Sequence, residues 1–235
     1  MTDFVLVHGA WHGAWCWRKI LPSLWVKGHR AFAVTLTGLG EREHLMSPDI
    51  PLATHIDDVA AVIETEELTR LVLVGHSYAG LLITAVADRY AERIVRLVYV
   101  DAIVPRSGES WSSSHDESAR QTRRAAISRD GVIAPPPSSA YGLTGEDAAW
   151  VDRRQRPHPG TVYEDVLHFD EARVADLPRT FVDCTSPALP AIERSRQRVR
   201  SEPGWQVVEI ATGHDPMISA PAQLLDILDQ AGRSG

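Results

Sequence analysis

The sequence has few cysteines and no long apolar run, and each of these shortages argues against a class of protein. The two cysteines among its 235 residues, Cys16 and Cys184, show no metal-ligand spacing and form no disulfide framework. Both lie in helix-like or strand-like stretches, so we expect buried, reduced thiols. No apolar run approaches membrane-spanning length, and the first apolar strand begins at about Asp3, which leaves no room for a secretory leader. These features predict a cytoplasmic protein that does not enter a membrane.

The sequence also has fewer basic than acidic residues. The chain carries 24 lysines and arginines against 31 acidic residues, and its formal charge of -7 disfavours nucleic acid as a partner. Hydrophobic residues at 44% and charged residues at 23% are ordinary for a globular protein. At this length we expect one domain with a substantial core.

Apolar strands alternate with helical patterns along most of the chain. Strands are predicted over residues 4–7, 31–36, 94–100, 180–184 and 206–210, and a further strand ends at Ser77. Helices are predicted over residues 15–26, 52–68, 78–90, 188–200 and 220–230, and residues 231–235 are expected to fray. This alternation predicts an α/β protein with a parallel sheet of about six strands and right-handed crossovers.

Residues 106–178 interrupt the alternation. Serine or proline clusters at residues 112–114, 135–137 and 157–159 separate short helical pieces that contain Trp111 and Trp150. A run of this length that is rich in aromatic residues is more often a functional insertion than a linker, although a disordered insert is the alternative. We therefore predict a lid over residues 106–178, inserted in a core made of residues 1–105 and 179–235.

A strand, a sharp turn and a helix follow one another between residues 70 and 83, and a serine lies at the turn. The motif Gly75-His76-Ser77-Tyr78-Ala79 fits the G-x-S-x-G pattern of a nucleophile elbow, except that Ala79 replaces the last glycine and Gly80 follows it. Small residues are needed there because the strained turn brings strand and helix close together. We predict that Ser77 is a nucleophile; the alternative is a serine that only caps the helix.

A serine hydroxyl is a weak nucleophile at neutral pH, so it needs a base, which in turn needs a carboxylate. Functional groups of a parallel sheet gather beyond the carboxyl ends of its strands, and there His214, on a tight loop, is the predicted base. Asp101 follows the fourth strand and is the predicted acid. Asp183 and Glu193 remain alternatives, and Asp101 could instead brace its loop or cap a helix.

Stabilisation of an oxyanion requires two backbone N–H groups, for which we predict Tyr78 and Ala10. His12, in the loop after the first strand, is expected to shape this loop or to orient substrate. Trp111, Trp150 and Tyr78 are predicted to line an apolar pocket, and packing within the lid is the alternative for both tryptophans. The histidines at positions 29, 44, 55, 115, 158 and 168 are expected on the surface or in the lid.

Three segments, at residues 4–15, 74–77 and 213–217, resemble the α/β-hydrolase superfamily, and in particular the plant methylesterases, the hydroxynitrile lyases and their bacterial carboxylesterase relatives. The likeness covers residues 3–105 and 178–230. It implies a three-layer α/β/α hydrolase fold with a mostly parallel sheet of about six strands and a helical lid. It also implies ester hydrolysis through an acyl-enzyme, with no cofactor and no metal. Ser77 and His214 would be its nucleophile and base, and Ala10 and Tyr78 its oxyanion donors.

Two departures from the lyases favour an esterase. The lyases of this branch carry a threonine where this chain has Gly9, and a lysine directly after the histidine, where it has Asp215. The acid of the plant enzymes does not transfer, because Pro187 follows the corresponding strand. Some members of the similar haloalkane dehalogenases place their acid at the position of Asp101.

We therefore expect a serine-dependent carboxylic ester hydrolase that acts on a small, partly apolar ester. Its partners would be a small-molecule ester and, for assembly, a second copy in a homodimer. Two other functions stay open: a lyase or another non-hydrolytic tailoring enzyme on the same fold, and a receptor that binds a ligand with little turnover.

Overall fold

A sheet of six parallel strands forms the centre of the protein, for which a computed structural model describes residues 2–233. The chain forms the strands β1 Asp3–Val7, β2 Arg30–Val34, β3 Leu71–His76, β4 Ile94–Val100, β5 Val132–Ile133, β6 His158–Pro159, β7 Arg179–Cys184 and β8 Trp205–Ile210. The sheet has the order β2-β1-β3-β4-β7-β8, and every neighbouring pair in it is parallel. The predicted strands and the adjacency of β3 and β4 are thus confirmed.

Helices cover both faces of the sheet. They are α1 Leu21–Val26, α2 Leu52–Thr65, α3 Ala79–Arg89, α4 Glu117–Asp130, α5 Gly145–Asp152, α6 Glu171–Ala175, α7 Glu193–Ser201, α8 Pro216–Ser219 and α9 Pro221–Arg233. The single helix predicted over residues 15–26 is wrong, since the chain forms a 3-10 turn, Ala14–Lys19, followed by α1. Pro22 has no N–H to donate to the carbonyl of Arg18, so one continuous helix cannot form.

Alternate side chains of the strands point into two separate cores, as the period of a β-strand requires. Val5 and Leu73 face the apolar stripe of α2 and α3, whereas Phe4 and Val72 face α1 and α9. This arrangement confirms the three-layer α/β/α architecture. Because Val7 pairs with Gly75 and His76 pairs with Val100, the loops after β1, β3 and β4 leave the sheet at one edge.

Residues 106–178 lie between β4 and β7 and contain α4, α5, α6 and a two-stranded antiparallel sheet of β5 and β6. The sequence pattern did not predict this small sheet. The Trp11 side chain, in the loop after β1, donates its Nε1–H to the Ile133 carbonyl at 2.8 Å. The insertion is thereby joined to the carboxyl edge of the sheet.

The C-terminal end of the described chain is helical, which corrects the expectation of a frayed tail from residue 231. Helix α9 continues to Arg233, and Thr2 donates its hydroxyl to the Gly232 carbonyl at 2.7 Å. Met1, Ser234 and Gly235, which belong to the predicted core segments, lie outside the described residues. Cys16 and Cys184 are buried and free, as predicted. Between residues 2 and 233 no helix has the length and apolarity to cross a membrane.

Candidate active site

Ser77 lies at a strained turn between β3 and α3. Its φ of +55° is in the left-handed region, which residues other than glycine rarely adopt. Two hydrogen bonds hold this conformation: the Ser77 N–H donates to the Val100 carbonyl at 3.2 Å, and the Ser77 carbonyl accepts from the Ile103 N–H at 3.0 Å. The turn leaves the Ser77 side chain partly exposed at the carboxyl edge of the sheet.

The small residues around Ser77 allow the backbones to approach closely. A Cβ atom added to Gly75 would lie 2.9 Å from the Ala79 carbonyl oxygen, and one added to Gly80 would lie 1.8 Å from the Ile103 carbonyl oxygen. Ala79 is fully buried and fits as an alanine. The backbone therefore excludes a side chain at position 80, which accounts for the shift of the second glycine in the motif.

Ser77, His214 and Asp101 form a continuous chain of hydrogen bonds. The Ser77 hydroxyl donates to His214 Nε2 at 2.8 Å, and His214 Nδ1–H donates to Asp101 Oδ2 at 2.7 Å. The three side chains come from the loops after β3, β8 and β4, so the structure brings together residues that are far apart in sequence. Asp101 is fully buried, and its φ of +41° also lies in the left-handed region.

Arg196 of α7, which the sequence analysis did not single out, lies behind Asp101. Its guanidinium contacts Asp101 Oδ1 at 2.7 Å and Asp183 Oδ1 at 2.6 Å, and it donates to the Leu189 carbonyl at 2.8 Å. Burial opposes the charge of Arg196, yet the two carboxylates raise the pKa of this arginine. Asp183, an alternative acid, is thus bound by Arg196 and also by Arg200.

The loop after β1 lies directly against Ser77. A Cβ atom at Gly9 would lie 2.8 Å from Ser77 Cβ, so only glycine allows this approach. His8 fixes the loop, because its Nδ1–H donates to the Gly9 carbonyl at 2.7 Å and its Nε2 accepts from the Leu36 N–H at 3.1 Å. Burial lowers the pKa of His8 to about 3, which keeps this side chain neutral.

Ala10 and Tyr78, which carry the predicted oxyanion donors, directly follow Gly9 and Ser77, the two residues that meet at this approach. Among the hydrogen bonds recorded for residues 2–233, neither N–H donates to another group of the protein. Trp11, the next residue of the loop, has a φ of +65° and donates its N–H to His158 Nδ1 at 3.4 Å. The insertion therefore helps to hold the loop in place.

A sequence profile of the alpha/beta hydrolase family matches residues 4–227. The chain belongs to the alpha/beta hydrolase family.

Several relatives of this alpha/beta hydrolase are esterases by name. The carbendazim hydrolyzing esterase of Nocardioides sp. (strain SG-4G) is 38% identical over 99% of this chain and 100% of its own length. Methylesterase 1 of Arabidopsis thaliana is 29% identical over 95% of this chain and 93% of its own. The solved structure of an extracellular alpha/beta-hydrolase from a Paenibacillus species shares the fold, with a TM-score of 0.86 at 19% identity over 99% of this chain and 100% of that one. The protein is an ester hydrolase of the carboxylesterase type.

The hydrolase has a cavity of about 230 Å³ that is lined by Ser77 and His214. Its walls include Trp111, together with Trp11, Tyr141 and Ile192. The cavity is also lined by His115 and Arg123, which the sequence analysis did not propose as site residues. Burial lowers the pKa of His115 to about 4, and the nearby Arg123 charge contributes, so His115 is neutral at neutral pH.

The structure does not bring Trp150 to this cavity. Trp150 packs edge-on against Trp15, with ring centroids 5.0 Å apart, and lines a separate surface groove of about 560 Å³. The Tyr78 ring is fully buried against Trp111 and His158, away from the cavity surface.

His12 is buried and does not line the cavity, so of its two expected roles its contacts match the shaping of the loop after β1 and not the orientation of substrate. Its Nδ1–H donates to the Ala10 carbonyl at 2.8 Å, and its Nε2–H donates to Asp215 Oδ2 at 3.3 Å. Burial opposes its charge, but the Asp215 carboxylate raises the pKa of His12. Burial likewise opposes the charge of Asp215, yet His12 lowers the pKa of that carboxyl. This ion pair joins the loop that carries Ala10 to the loop that carries His214.

The loop of His214 has two further contacts. His76 donates its Nε2–H to the His214 carbonyl at 2.9 Å, and burial keeps the pKa of His76 well below its ordinary value. The His214 N–H donates to the Tyr141 carbonyl in the insertion at 3.0 Å. A Cβ atom at Gly213 would lie 2.0 Å from the same Tyr141 oxygen, so the insertion and the His214 loop are in tight backbone contact.

Two histidines that we expected on the surface are buried in the core. His55 accepts the Tyr78 hydroxyl at Nδ1, at 3.1 Å, and donates its Nε2–H to the Thr37 carbonyl at 3.0 Å. His29 contacts the Asp229 carboxylate at 3.0 Å. Both ring nitrogens of His55, and Nε2 of His29, thus have partners distant in sequence, a relation that spacing along the chain does not show.

Proposed function

We propose that ester hydrolysis by this protein proceeds through an acyl-enzyme on Ser77. His214 Nε2 takes the hydroxyl proton as Ser77 Oγ attacks the acyl carbon, and it returns this proton to the departing alcohol. A water molecule, activated in the same way by His214, then releases the acid. Asp101 holds the Nδ1–H of His214, which leaves Nε2 free to accept the proton. The hydrogen-bond chain from Ser77 through His214 to Asp101 is the observation that supports this proposal.

The backbone N–H groups of Ala10 and Tyr78 are the proposed oxyanion donors. Their support is the approach of the Gly9 backbone to Ser77 and the lack of another acceptor for either N–H within the described chain. Fixed donors of this kind contribute most when charge develops on the carbonyl oxygen. Loss of one typically costs about 100-fold to 1,000-fold in turnover.

A fluorophosphonate probe tests the nucleophile. We expect the wild-type protein to be labelled at Ser77 and to hydrolyse short p-nitrophenyl esters, and Ser77→Ala to lose both properties. Ser114→Ala is the matched control, because Ser114 is a second serine that lines the same cavity. Hydrolysis that persists at the wild-type rate in Ser77→Ala would contradict the proposal.

We propose that residues 106–178 act as a lid that sets the size of the substrate. Trp111 and Tyr141 of this segment line the cavity, and its volume of about 230 Å³ is below the ~300–1,000 Å³ of sites for drug-sized ligands. The expected substrate is therefore a small, partly apolar ester. A panel of methyl, aryl and lactone esters of increasing size measures this limit, and equal rates for bulky and small members would refute it.

We also propose a cytoplasmic location and allow for a homodimer. The two cysteines are buried and free, which is compatible with a reducing compartment. Cell fractionation tests the location, and recovery of the enzyme outside the cytoplasm would contradict it. The homodimer stays a prediction that sedimentation measurements can decide.

A further inference from the structure

Arg123 of α4 lies at the wall of the cavity that contains Ser77 and His214. Its guanidinium carbon is 5.6 Å from the centroid of the Trp11 ring and 5.6 Å from that of Trp111. The side chain is half-buried. A cationic group is therefore held by aromatic rings beside the proposed nucleophile.

Within residues 2–233, Arg123 has no carboxylate partner. Among the ion pairs and hydrogen bonds recorded for residues 2–233 none involves Arg123, whereas Arg124, its neighbour in α4, contacts Glu164 at 2.8 Å. Burial lowers the pKa of Arg123, but an arginine side chain stays protonated at any pH at which proteins are folded. A half-buried charge without a counter-ion is unfavourable until an anion pairs with it.

The rest of the cavity wall offers no negative charge. The residues that line it include no aspartate or glutamate, and most of its surface is apolar. His115, the titratable side chain next to Arg123, is neutral at neutral pH because burial and the Arg123 charge lower its pKa to about 4. An anionic group that entered the cavity would thus meet one positive charge without competition from a protein carboxylate.

We propose that Arg123 binds a carboxylate of the substrate, so that the preferred substrate is a small ester carrying a second, free carboxylate. A monoester of a short dicarboxylic acid has this chemistry, since the Arg123 fork can bind its carboxylate through two parallel hydrogen bonds. The inference rests on the proposed function, because Ser77 must attack the ester group of the same molecule. The cavity volume of about 230 Å³ limits the chain between the two groups to a few carbon atoms.

A purely structural role of Arg123 makes a different prediction. The guanidinium also lies 5.9 Å from the centroid of the Tyr163 ring, so it could serve only to pack α4 against the loop after β1. Its removal would then slow the hydrolysis of charged and uncharged esters by the same factor. The ratio of the two rates separates the two roles.

The experiment compares monomethyl glutarate with methyl 5-methylhexanoate, in which an uncharged isopropyl group replaces the carboxylate. Monomethyl succinate and adipate vary the distance between the two groups. We expect the wild-type protein to favour the best half-ester by about 10-fold to 100-fold in kcat/KM, and Arg123→Met to lose this preference. Both rates are measured on the same variant, so a general loss of activity cancels. Arg124→Met, which removes an exposed arginine of the same helix, should retain the preference.

A binding measurement keeps this inference separate from the proposed function. Calorimetry on Ser77→Ala gives the Kd of each half-ester without turnover. We expect this Kd to rise at least about tenfold when Arg123→Met is added. Binding that depends on Arg123 in a protein whose wild type hydrolyses no ester would support the carboxylate site and refute the proposed function. The carboxylate site alone would be overturned if the protein hydrolysed esters but Arg123→Met changed neither the ratio of kcat/KM between charged and uncharged esters nor the Kd of the half-esters.

Discussion

Replacement of Arg196 by methionine should destabilise the protein and slow catalysis together. Methionine fills much of the same space but removes the guanidinium that contacts Asp101 and Asp183, both of which are almost completely buried. Loss of one partner of a buried ion pair typically costs about 3–5 kcal/mol, because a charge remains without compensation. In a domain of this size 1 kcal/mol corresponds to about 2–4 °C in Tm, so we expect Tm to fall by roughly 6–20 °C.

The effect on catalysis should be smaller than that of removing the carboxylate itself. Asp101 would keep its hydrogen bond from His214 Nδ1 at 2.7 Å, but Oδ1 would retain only the distant Cys184 N–H at 3.5 Å. Loss of a triad aspartate costs about 10,000-fold in kcat, so we expect a decrease of about 10-fold to 100-fold in kcat with little change in KM. Arg196 does not line the cavity, so we expect it to act through Asp101.

The assay combines thermal unfolding followed by circular dichroism with steady-state hydrolysis of p-nitrophenyl acetate well below Tm. Arg200→Met is the matched control, because Arg200 also contacts Asp183 but its side chain is 42% exposed. The Arg200 guanidinium is solvent-exposed and Asp183 keeps its contact with Arg196 in this variant, so the loss should cost about 1 kcal/mol or less and leave nearly normal stability and activity. If Arg196→Met and Arg200→Met had the same Tm and the same kcat, the assigned role of Arg196 would be wrong.

Three further predictions concern the neighbourhood of Ser77. Gly9→Ala should lower kcat by about 100-fold or more in p-nitrophenyl ester assays. The new Cβ would lie 2.8 Å from Ser77 Cβ and would displace the loop that carries a proposed oxyanion donor. Near-normal turnover of this variant would contradict the proposed donor. Asp101→Asn should lower kcat about 10,000-fold while the circular dichroism spectrum stays native, and an active variant would reassign the acid. Asp215→Asn should lower the free energy of unfolding most between the ordinary pKa values of the pair, 3.8 for Asp215 and 6.5 for His12. The stability that comes from the raised pKa of His12 is lost as the pH rises through the pKa of His12 in the folded protein. The stability that comes from the lowered pKa of Asp215 is lost as the pH falls through the pKa of Asp215 in the folded protein. Urea titrations that gave the same difference at every pH would refute the pairing.

Much of the fold could be predicted because the strands are mainly apolar runs that polar residues follow, as Ser77 follows β3 and Asp101 follows β4. The insertion was harder to predict for a physical reason. Helix α4 buries none of its side chains completely, and it faces the cavity through Arg123, so it has no apolar stripe that periodicity could detect.

The candidate site likewise contains some residues that could be predicted from the sequence and others that could not. Ser77 and His214 follow from a local motif and from the edge rule of parallel sheets, both of which act over short stretches. The roles of buried polar residues depend instead on partners more than a hundred residues away, as with His12 and Asp215, and composition cannot reveal such pairs. Trp111 and Trp150 are equivalent in sequence terms, and only the packing of the insertion separates them.

The contact between the Tyr141 carbonyl and the backbone of Gly213 and His214 joins the proposed lid to the loop of the proposed base. If residues 106–178 moved away from the sheet as a rigid body, this contact would have to break or His214 would have to move with them. A variant in which a foreign segment replaces residues 106–178 would therefore have to keep the turn at residues 138–142, because the Tyr141 carbonyl in this turn accepts the His214 N–H.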